Sequence, residues 1–129
     1  MTQARQTLGA LGEQLASDAL VARGYAILAR RYRSRCGEID IVARDGATLV
    51  FVEVKTRDGR CFGDGAEAVD WRKQRHLVQT AIEFLARHRL THLPCRFDVV
   101  AITLTAATPE VEIYQHAFSV ESVGRWGSG

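Results

Sequence analysis

Residues 37–55 read GEIDIVARDGATLVFVEVK, two β-rich runs separated by the dipeptide Asp45-Gly46. Asp-Gly between such runs is a strong local signal for a tight hairpin, with these two residues as its loop. The resulting register predicts three cross-strand pairs: Arg44 with Ala47, Asp40 with Phe51, and Glu38 with Glu53.

Alternation along the two strands sorts their side chains onto two faces. The charged face carries Glu38, Asp40, Glu53 and Lys55. The other face offers a continuous apolar surface for a core, formed by Ile39, Ile41, Val50, Val52 and Val54. The hairpin therefore predicts a cluster of acids and one lysine on a single side of a sheet.

This charged face is unfavourable without a counter-charge, because two carboxylates roughly 5 Å apart repel by about 3 kcal/mol at an effective dielectric constant of about 20. Lys55 relieves part of the repulsion. A divalent cation could relieve the rest, since hard cations such as Mg²⁺ favour carboxylate oxygens. The alternative is a solvated face with an ordinary mixture of Glu and Lys, and both interpretations stay open here. Val42 and Phe51 on the same face argue against simple exposure to water.

Length and composition indicate one globular domain over residues 1–129, with a core over about 9–118 and a frayed tail over 121–129. Hydrophobic residues make up 47% and charged residues 25%, as in ordinary soluble proteins. No apolar run is long enough to span a membrane, and the N-terminus lacks the apolar core of a signal peptide. The three cysteines are too widely spaced for a disulfide framework or a zinc site. A cytoplasmic protein without a membrane partner is expected.

The formal charge of +2 is too small to indicate nucleic-acid binding by itself, but the basic residues are clustered. One cluster precedes the hairpin and comprises Arg30, Arg31, Arg33 and Arg35; the second comprises Arg72, Lys73, Arg75 and His76. Charge runs are usually solvated faces, so each cluster is a candidate phosphate contact and no more. Trp71 beside the second cluster could stack on a base, although core packing is commoner for tryptophan.

The remaining pattern places the hairpin within a mixed α/β sheet flanked by helices. The elements are, in order, a helix over residues 8–23, a strand over 25–29, the two hairpin strands, a helix from 71 to about 88, and strands over 97–103 and 111–118. Asp70 is the expected N-cap of the second helix. Its expected buried stripe is Leu77, Ala81, Phe84 and Leu85. The glycine-rich residues 56–66 read as a mobile loop.

Six short segments in this order resemble the YraN-like family of predicted endonucleases within the PD-(D/E)XK nuclease superfamily, related in fold to Holliday junction resolvases. They are Gly12-Glu13, Gly37-Glu38-Ile39-Asp40, Phe51-Val52-Glu53-Val54-Lys55-Thr56-Arg57, Phe62-Gly63, Lys73-Gln74 and Arg96-Phe97-Asp98-Val99-Val100. The resemblance implies an αβββαβ restriction-endonuclease-like core plus an extra C-terminal strand. It also implies hydrolysis of DNA with Mg²⁺ or Mn²⁺, and a homodimer is a family-level expectation.

The resemblance also implies roles for individual residues. Asp40 and Glu53 look like the metal-binding carboxylates, with the Val54 carbonyl as a third ligand, and Lys55 resembles the lysine that orients or deprotonates the attacking water. Glu13 resembles an acid of the first helix that reaches the metal directly or through water. Supporting roles fall to Glu38, Lys73 and Gln74. Phosphate contacts are expected from Arg31, Arg33, Arg35, Arg57, Arg72 and Arg75.

Several residues carry a plainer interpretation. Glu13, Lys73 and Gln74 could be ordinary solvated helix residues, and Glu38 could be an acid at the rim of the site. Asp98 alternates with apolar residues in its strand, which favours a structural role. One departure stands out, because Arg31 occupies the place where the family usually has asparagine before a Tyr-Arg pair.

Three functions remain open at this point. The first is a metal-dependent phosphodiesterase acting on DNA, with branched or otherwise structured DNA as the expected substrate. The second is a non-catalytic nucleic-acid-binding or scaffolding protein that keeps the nuclease-like fold. The third is a pure protein-interaction domain. An acid-acid-lysine set that is still intact favours the first over the second.

Overall fold

The described residues, 2–58, 70–105 and 107–118 of this computed structural model, form a mixed α/β sheet flanked by helices. The elements are α1 (Thr2–Ala22), β1 (Ala26–Ser34), β2 (Gly37–Asp45), β3 (Thr48–Asp58), α2 (Trp71–Arg87), β4 (Cys95–Leu104) and β5 (Glu110–Phe118). The predicted αβββαβ order with an extra strand is confirmed. Residues 56–58 belong to β3 rather than to a loop. The rest of that predicted loop, Cys61, the Phe62-Gly63 segment and the tail 121–129 lie outside the described residues.

The strands lie in the order β1-β2-β3-β4-β5. Only the β3–β4 pair within the described sheet is parallel, and α2 supplies the crossover that such a pair requires. The predicted N-cap is confirmed, because Asp70 Oδ1 accepts a hydrogen bond from Lys73 N at 2.9 Å. The predicted stripe of α2 is also confirmed, and all four of its residues are buried. In the described part of the chain, neither helix is long and apolar enough to cross a membrane.

Two apolar clusters lie on opposite sides of the sheet. The cluster around α1 includes Ala16, Leu20, Ile41, Val50, Val52, Val100 and Ile102. The cluster around α2 includes Ile39, Val42, Phe51, Leu77, Phe84, Phe97 and Val99. Both strands of the hairpin contribute side chains to both clusters, so the hairpin is buried from both sides.

The hairpin turn lies one residue further along the chain than the sequence predicts. Asp45 pairs with Thr48, so Gly46 and Ala47 form the turn and Val42 lies opposite Phe51. The three predicted pairs are therefore wrong by two positions in register. Gly46 has φ 61, and one positive φ at the first turn position is typical of a type II′ turn. A shift of two keeps every side chain on its predicted face.

Ile39 is the exception to the predicted faces, because it packs in the α2 cluster rather than with Ile41. The β1–β2 ladder pairs Arg30 with Ile41 and Tyr32 with Ile39. Between these pairs Arg31 has φ 53, a left-handed conformation that interrupts regular alternation. The prediction that Ile39 shares the face of Ile41 is therefore wrong, and the irregularity falls beside Asp40.

Gly12 brings α1 unusually close to β3. A Cβ built at Gly12 would lie 2.0 Å from Thr56 Oγ1 and 3.2 Å from Thr56 Cβ, whereas one built at Gly9 would meet nothing within 4 Å. The helix therefore needs glycine at position 12 for packing rather than for backbone freedom.

Gly12→Ala is expected to destabilise the fold by about 1–3 kcal/mol through overpacking. A glycine-to-alanine change in a helix normally stabilises by up to about 1 kcal/mol, and Gly9→Ala is the matched control expected to do so. Denaturant unfolding measures both free energies. Adding Thr56→Ala to the first variant should recover part of the loss, since Oγ1 is then absent. A stabilised Gly12→Ala protein would contradict this packing.

A buried polar network ties β4 to the N-terminal half of the sheet. Asp98 is 0% exposed and accepts hydrogen bonds from Arg96 Nε at 3.0 Å, the Tyr25 hydroxyl at 3.2 Å and His116 N at 3.1 Å. Arg96 also bonds Asp45 at 2.9 Å. Burial would lower the pKa of Arg96, but the hydrogen bonds to Asp98 and Asp45 outweigh it and the pKa is raised. These contacts support the structural interpretation of Asp98.

Candidate active site

Asp40 occupies the point at which β2 and β3 separate. The last recorded pair of their ladder is Ile41 with Val52. Beyond that pair, Asp40 Oδ2 accepts a hydrogen bond from Val54 N at 2.8 Å, so a carboxylate takes the place of a backbone acceptor. The same register continued by one residue places Asp40 across from Glu53. The two acids predicted to share a face are therefore brought together.

Of the two acids, Glu53 is buried and Asp40 is half-buried. Glu53 is 3% exposed. Burial and the neighbouring charge of Glu53 raise the pKa of Asp40 to about 8, with a further contribution from Glu13, while the Val54 N–H acts in the opposite direction. The pair is thus an electrostatically unfavourable arrangement of the kind that functional sites contain. A solvated hairpin face, the plainer interpretation, is not what forms here.

Lys73 Nζ forms an ion pair with a carboxylate oxygen of Glu53. Burial would lower the pKa of Lys73, but the hydrogen bond to Glu53 outweighs it and the pKa is raised. Asp70 holds this part of α2 in place by capping the Lys73 N–H. The sequence predicts only a supporting role for Lys73, because the distance between α2 and β3 cannot be read from local pattern.

A surface cavity of about 380 Å³ opens over the two acids. Its charged and polar lining comprises Glu38, Asp40, Glu53, Asp70, Arg72, Lys73 and His76. The sequence assigns His76 no site role. Its spacing could have indicated a role in the site. His76 lies three residues after Lys73 and four after Arg72, so the three side chains share one face of the helix.

Lys55 lies on β3 two residues beyond Glu53, and it pairs with Ala101 of β4. Alternation directs it to the same side of the sheet as Glu53, as predicted. Lys55 and Gln74 are half-buried, and neither is among the described residues that line the cavity over the acids.

Glu13 on α1 lines a separate surface cavity with Ala10, Arg30 and Arg31, and its charge contributes to the raised pKa of Asp40. Its side chain is 12% exposed and accepts a hydrogen bond from Arg31 Nε at 2.9 Å. The predicted sheet-facing direction of Glu13 is confirmed. Arg31 has φ 53, a left-handed backbone conformation that asparagine adopts more readily than arginine does.

The predicted phosphate contacts fall into three places. On β1 and the following turn, Arg31, Arg33 and Arg35 are exposed, and Arg33 pairs with Glu38 at the rim of the cavity. On α2, Arg72 and Arg75 are exposed. Arg57 lies near the end of β3 and is half-buried. Of these arginines, Arg72 lines the acidic cavity and Arg33 reaches its rim by pairing with Glu38.

The acids present suit a hard divalent cation. Among the described residues, no three His, Cys, Asp or Glu side chains gather closely enough to enclose an ion by themselves. Mg²⁺ usually takes only one or two carboxylates and completes its shell with water and substrate phosphate. Asp40 and Glu53 provide such a pair, and their mutual repulsion is what a cation would relieve. The donor set therefore fits Mg²⁺ or Mn²⁺ with an open coordination shell.

Comparison with known proteins gives a consistent family but no named activity. The family described as "Uncharacterised protein family UPF0102" matches residues 12–102. A UPF0102 protein of Symbiobacterium thermophilum is 54% identical over 74% of this chain and 80% of its own length. One from Roseiflexus castenholzii is 47% identical over 94% of this chain and 98% of its own length. One from Dehalococcoides mccartyi is 40% identical over 94% of this chain and all of its own length.

Proposed function

The chain belongs to the UPF0102 family, and from that premise we propose that it is a metal-dependent endonuclease that hydrolyses phosphodiester bonds in DNA. The carrying observation is the carboxylate pair Asp40 and Glu53 at the separation of β2 and β3, with Lys55 two residues further along β3. We place the fold in the PD-(D/E)XK superfamily on the same basis. Branched or otherwise structured DNA is the proposed substrate, and the free thiols of Cys36 and Cys95 fit a cytoplasmic protein.

Each residue has a defined part in this proposal. Asp40, Glu53 and the Val54 carbonyl would hold Mg²⁺ or Mn²⁺, with Glu13 assisting. The ion, when bound, would supply Lewis-acid charge at the scissile phosphate and activate water. Lys55 would orient the attacking water and neutralise the negative charge that develops on the phosphate. Lys73 pairs with Glu53 and orients its carboxylate, and Arg72 at the cavity rim would contact a neighbouring phosphate.

The proposal is tested by incubating the protein with branched, flapped and plain duplex DNAs in Mg²⁺ or Mn²⁺. Wild type is expected to nick at least one structured substrate, and Lys55→Ala is expected to lose at least about a hundredfold in rate, by analogy with other groups that stabilise transition-state charge. Arg87→Ala, at the far end of α2, is the matched control. Cleavage that survives both Lys55→Ala and Asp40→Asn would end the proposal.

A non-catalytic DNA-binding or scaffolding protein is the second candidate. It is favoured by the Lys73–Glu53 ion pair, which already neutralises one carboxylate without a metal. Calorimetric titration with Mg²⁺ and Mn²⁺ separates the two functions. The endonuclease should bind metal in the presence of DNA, whereas a scaffold should bind DNA and show no metal-dependent heat.

A further inference from the structure

We propose that Trp71 and the arginines beside it form a subsite for an unpaired nucleotide, so that the preferred DNA carries single-stranded character next to the acidic cavity. This inference rests on the proposed function, because it names the substrate class of the same site. It concerns the outer face of the first turns of α2.

Trp71 is exposed to an extent that packing does not explain. Its side chain is 57% exposed, the largest value among the exposed large hydrophobic residues described. Tryptophan usually contributes its large apolar area to a core or an interface. The core alternative for Trp71 is therefore wrong, and its ring is available to a ligand.

The surroundings of the ring are basic and concave. Trp71, Arg72, Arg75, His76 and Gln79 line a surface cavity of about 400 Å³. The guanidinium carbon of Arg72 lies 5.6 Å from the centroid of the Trp71 ring. An aromatic platform bordered by guanidinium groups is the arrangement that binds a stacked base together with its phosphates.

This cavity adjoins the one over the acids. Arg72 and His76 line both cavities, so a strand lying along α2 would pass from the Trp71 ring to Asp40 and Glu53. Trp71 and Arg75 are one helical turn apart, as are Arg72 and His76, which makes two parallel rows along the helix. A nucleotide stacked on the ring would therefore place an adjacent phosphate near the acidic pair.

An exposed indole discriminates between paired and unpaired bases. In an intact duplex the base faces are covered by their neighbours, and a ring can reach them only by unstacking the helix. In a single strand each base offers an open face. The Trp71 subsite thus favours flaps, gaps and junction branches over continuous duplex.

Binding is measured in Trp126→Phe protein, because Trp71 is then the one tryptophan left in the chain. The probes are an oligothymidylate of about 12 nucleotides, within the usual site size, and a duplex of equal length, in EDTA so that cleavage plays no part. Oligothymidylate should quench the fluorescence of Trp71, because a base stacks on its ring. The affinity of the Trp71→Ala variant is measured by the fluorescence anisotropy of labelled DNA. This substitution should weaken binding of the single strand by about 5- to 150-fold and should change binding of the duplex little. Trp71→Phe should retain most of the affinity.

Ile82→Ala is the matched control, since Ile82 is an exposed apolar residue further along the same helix. Equal losses for single strand and duplex, or no loss with Trp71→Ala, would overturn the subsite. Sedimentation measures self-association of the protein. Self-association that disappears in Trp71→Ala would overturn the subsite and would indicate an interface between two copies of the chain. Trp71-dependent binding without cleavage by wild type would instead refute the proposed hydrolysis and leave the subsite standing.

Discussion

Asp40→Asn is expected to stabilise the metal-free protein by an amount that grows from about pH 4 to about pH 8, while abolishing DNA cleavage. The cause of the first effect is the burial of Asp40 beside Glu53, which raises the pKa of Asp40 from its ordinary value of 3.8 to about 8. Asparagine has no charge to bury, and its carbonyl oxygen can still accept the Val54 N–H. Cleavage should fall because one proposed metal ligand is lost.

The sign follows from proton linkage. Asp40 holds its proton more tightly in the folded state than in the unfolded state, so its contribution to stability is complete below pH 3.8 and is lost as pH rises through about 8. Across this window, the free energy of unfolding of wild type should therefore fall relative to that of Asp40→Asn. The fall should be about 1.4 kcal/mol for each pH unit. Below pH 4 the two proteins should be nearly equal.

Denaturant unfolding in EDTA at a series of pH values measures this difference. Asp18→Asn, an exposed acid on α1, is the matched control and should show no such dependence. Adding Mg²⁺ should raise the stability of wild type more than that of Asp40→Asn, because an ion that binds the native state stabilises it by mass action. A pH-independent difference would mean that Asp40 is not held in the environment described.

Asp98→Ala is expected to destabilise the fold by about 3–5 kcal/mol, because it leaves the guanidinium of Arg96 buried without its main partner. Arg96 is 9% exposed and Asp98 is 0% exposed. The unpaired hydrogen-bond donors of Tyr25 and His116 add to the loss. Since domains of this size are stable by about 5–15 kcal/mol, much of the folded population could be lost.

Asp45 provides the control, because it bonds the same guanidinium at 2.9 Å but is 39% exposed. Asp45→Ala should lose about 1 kcal/mol or less, as exposed ion pairs do. Chemical denaturation compares the two variants. Similar free energies of unfolding for both would show that burial of the pair does not govern its strength. The double variant Arg96→Met with Asp98→Leu should recover part of the loss, since it removes both buried charges.

The local parts of the structure could be predicted from the sequence. The faces of Asp40 and Glu53 depend on strand parity, and parity survived a turn placed one residue too early. The capping of α2 by Asp70 and its buried stripe follow from short-range pattern. These features rest on neighbours within a few residues, where propensity and periodicity carry the information.

The remaining features depend on contacts between distant segments. Lys73 reaches Glu53 because of how the crossover helix lies on the sheet. The exposure of Trp71 depends on what packs around the start of α2. Ile39 pairs with Tyr32 of the neighbouring strand and packs with it in the α2 cluster. None of these has a signature in its own stretch of sequence.

The parallel pairing of β3 with β4 has a consequence for the order in which the chain acquires its structure. The hairpin of β2 and β3 closes a two-residue turn, whereas Leu49 must find Cys95 across the whole crossover. Short loops close before long ones, so the hairpin should precede the crossover during folding. The two carboxylates then meet before the helix that carries the ammonium group has docked. Their repulsion thus opposes an early step of folding. Salt screens this repulsion, so added salt should increase the refolding rate.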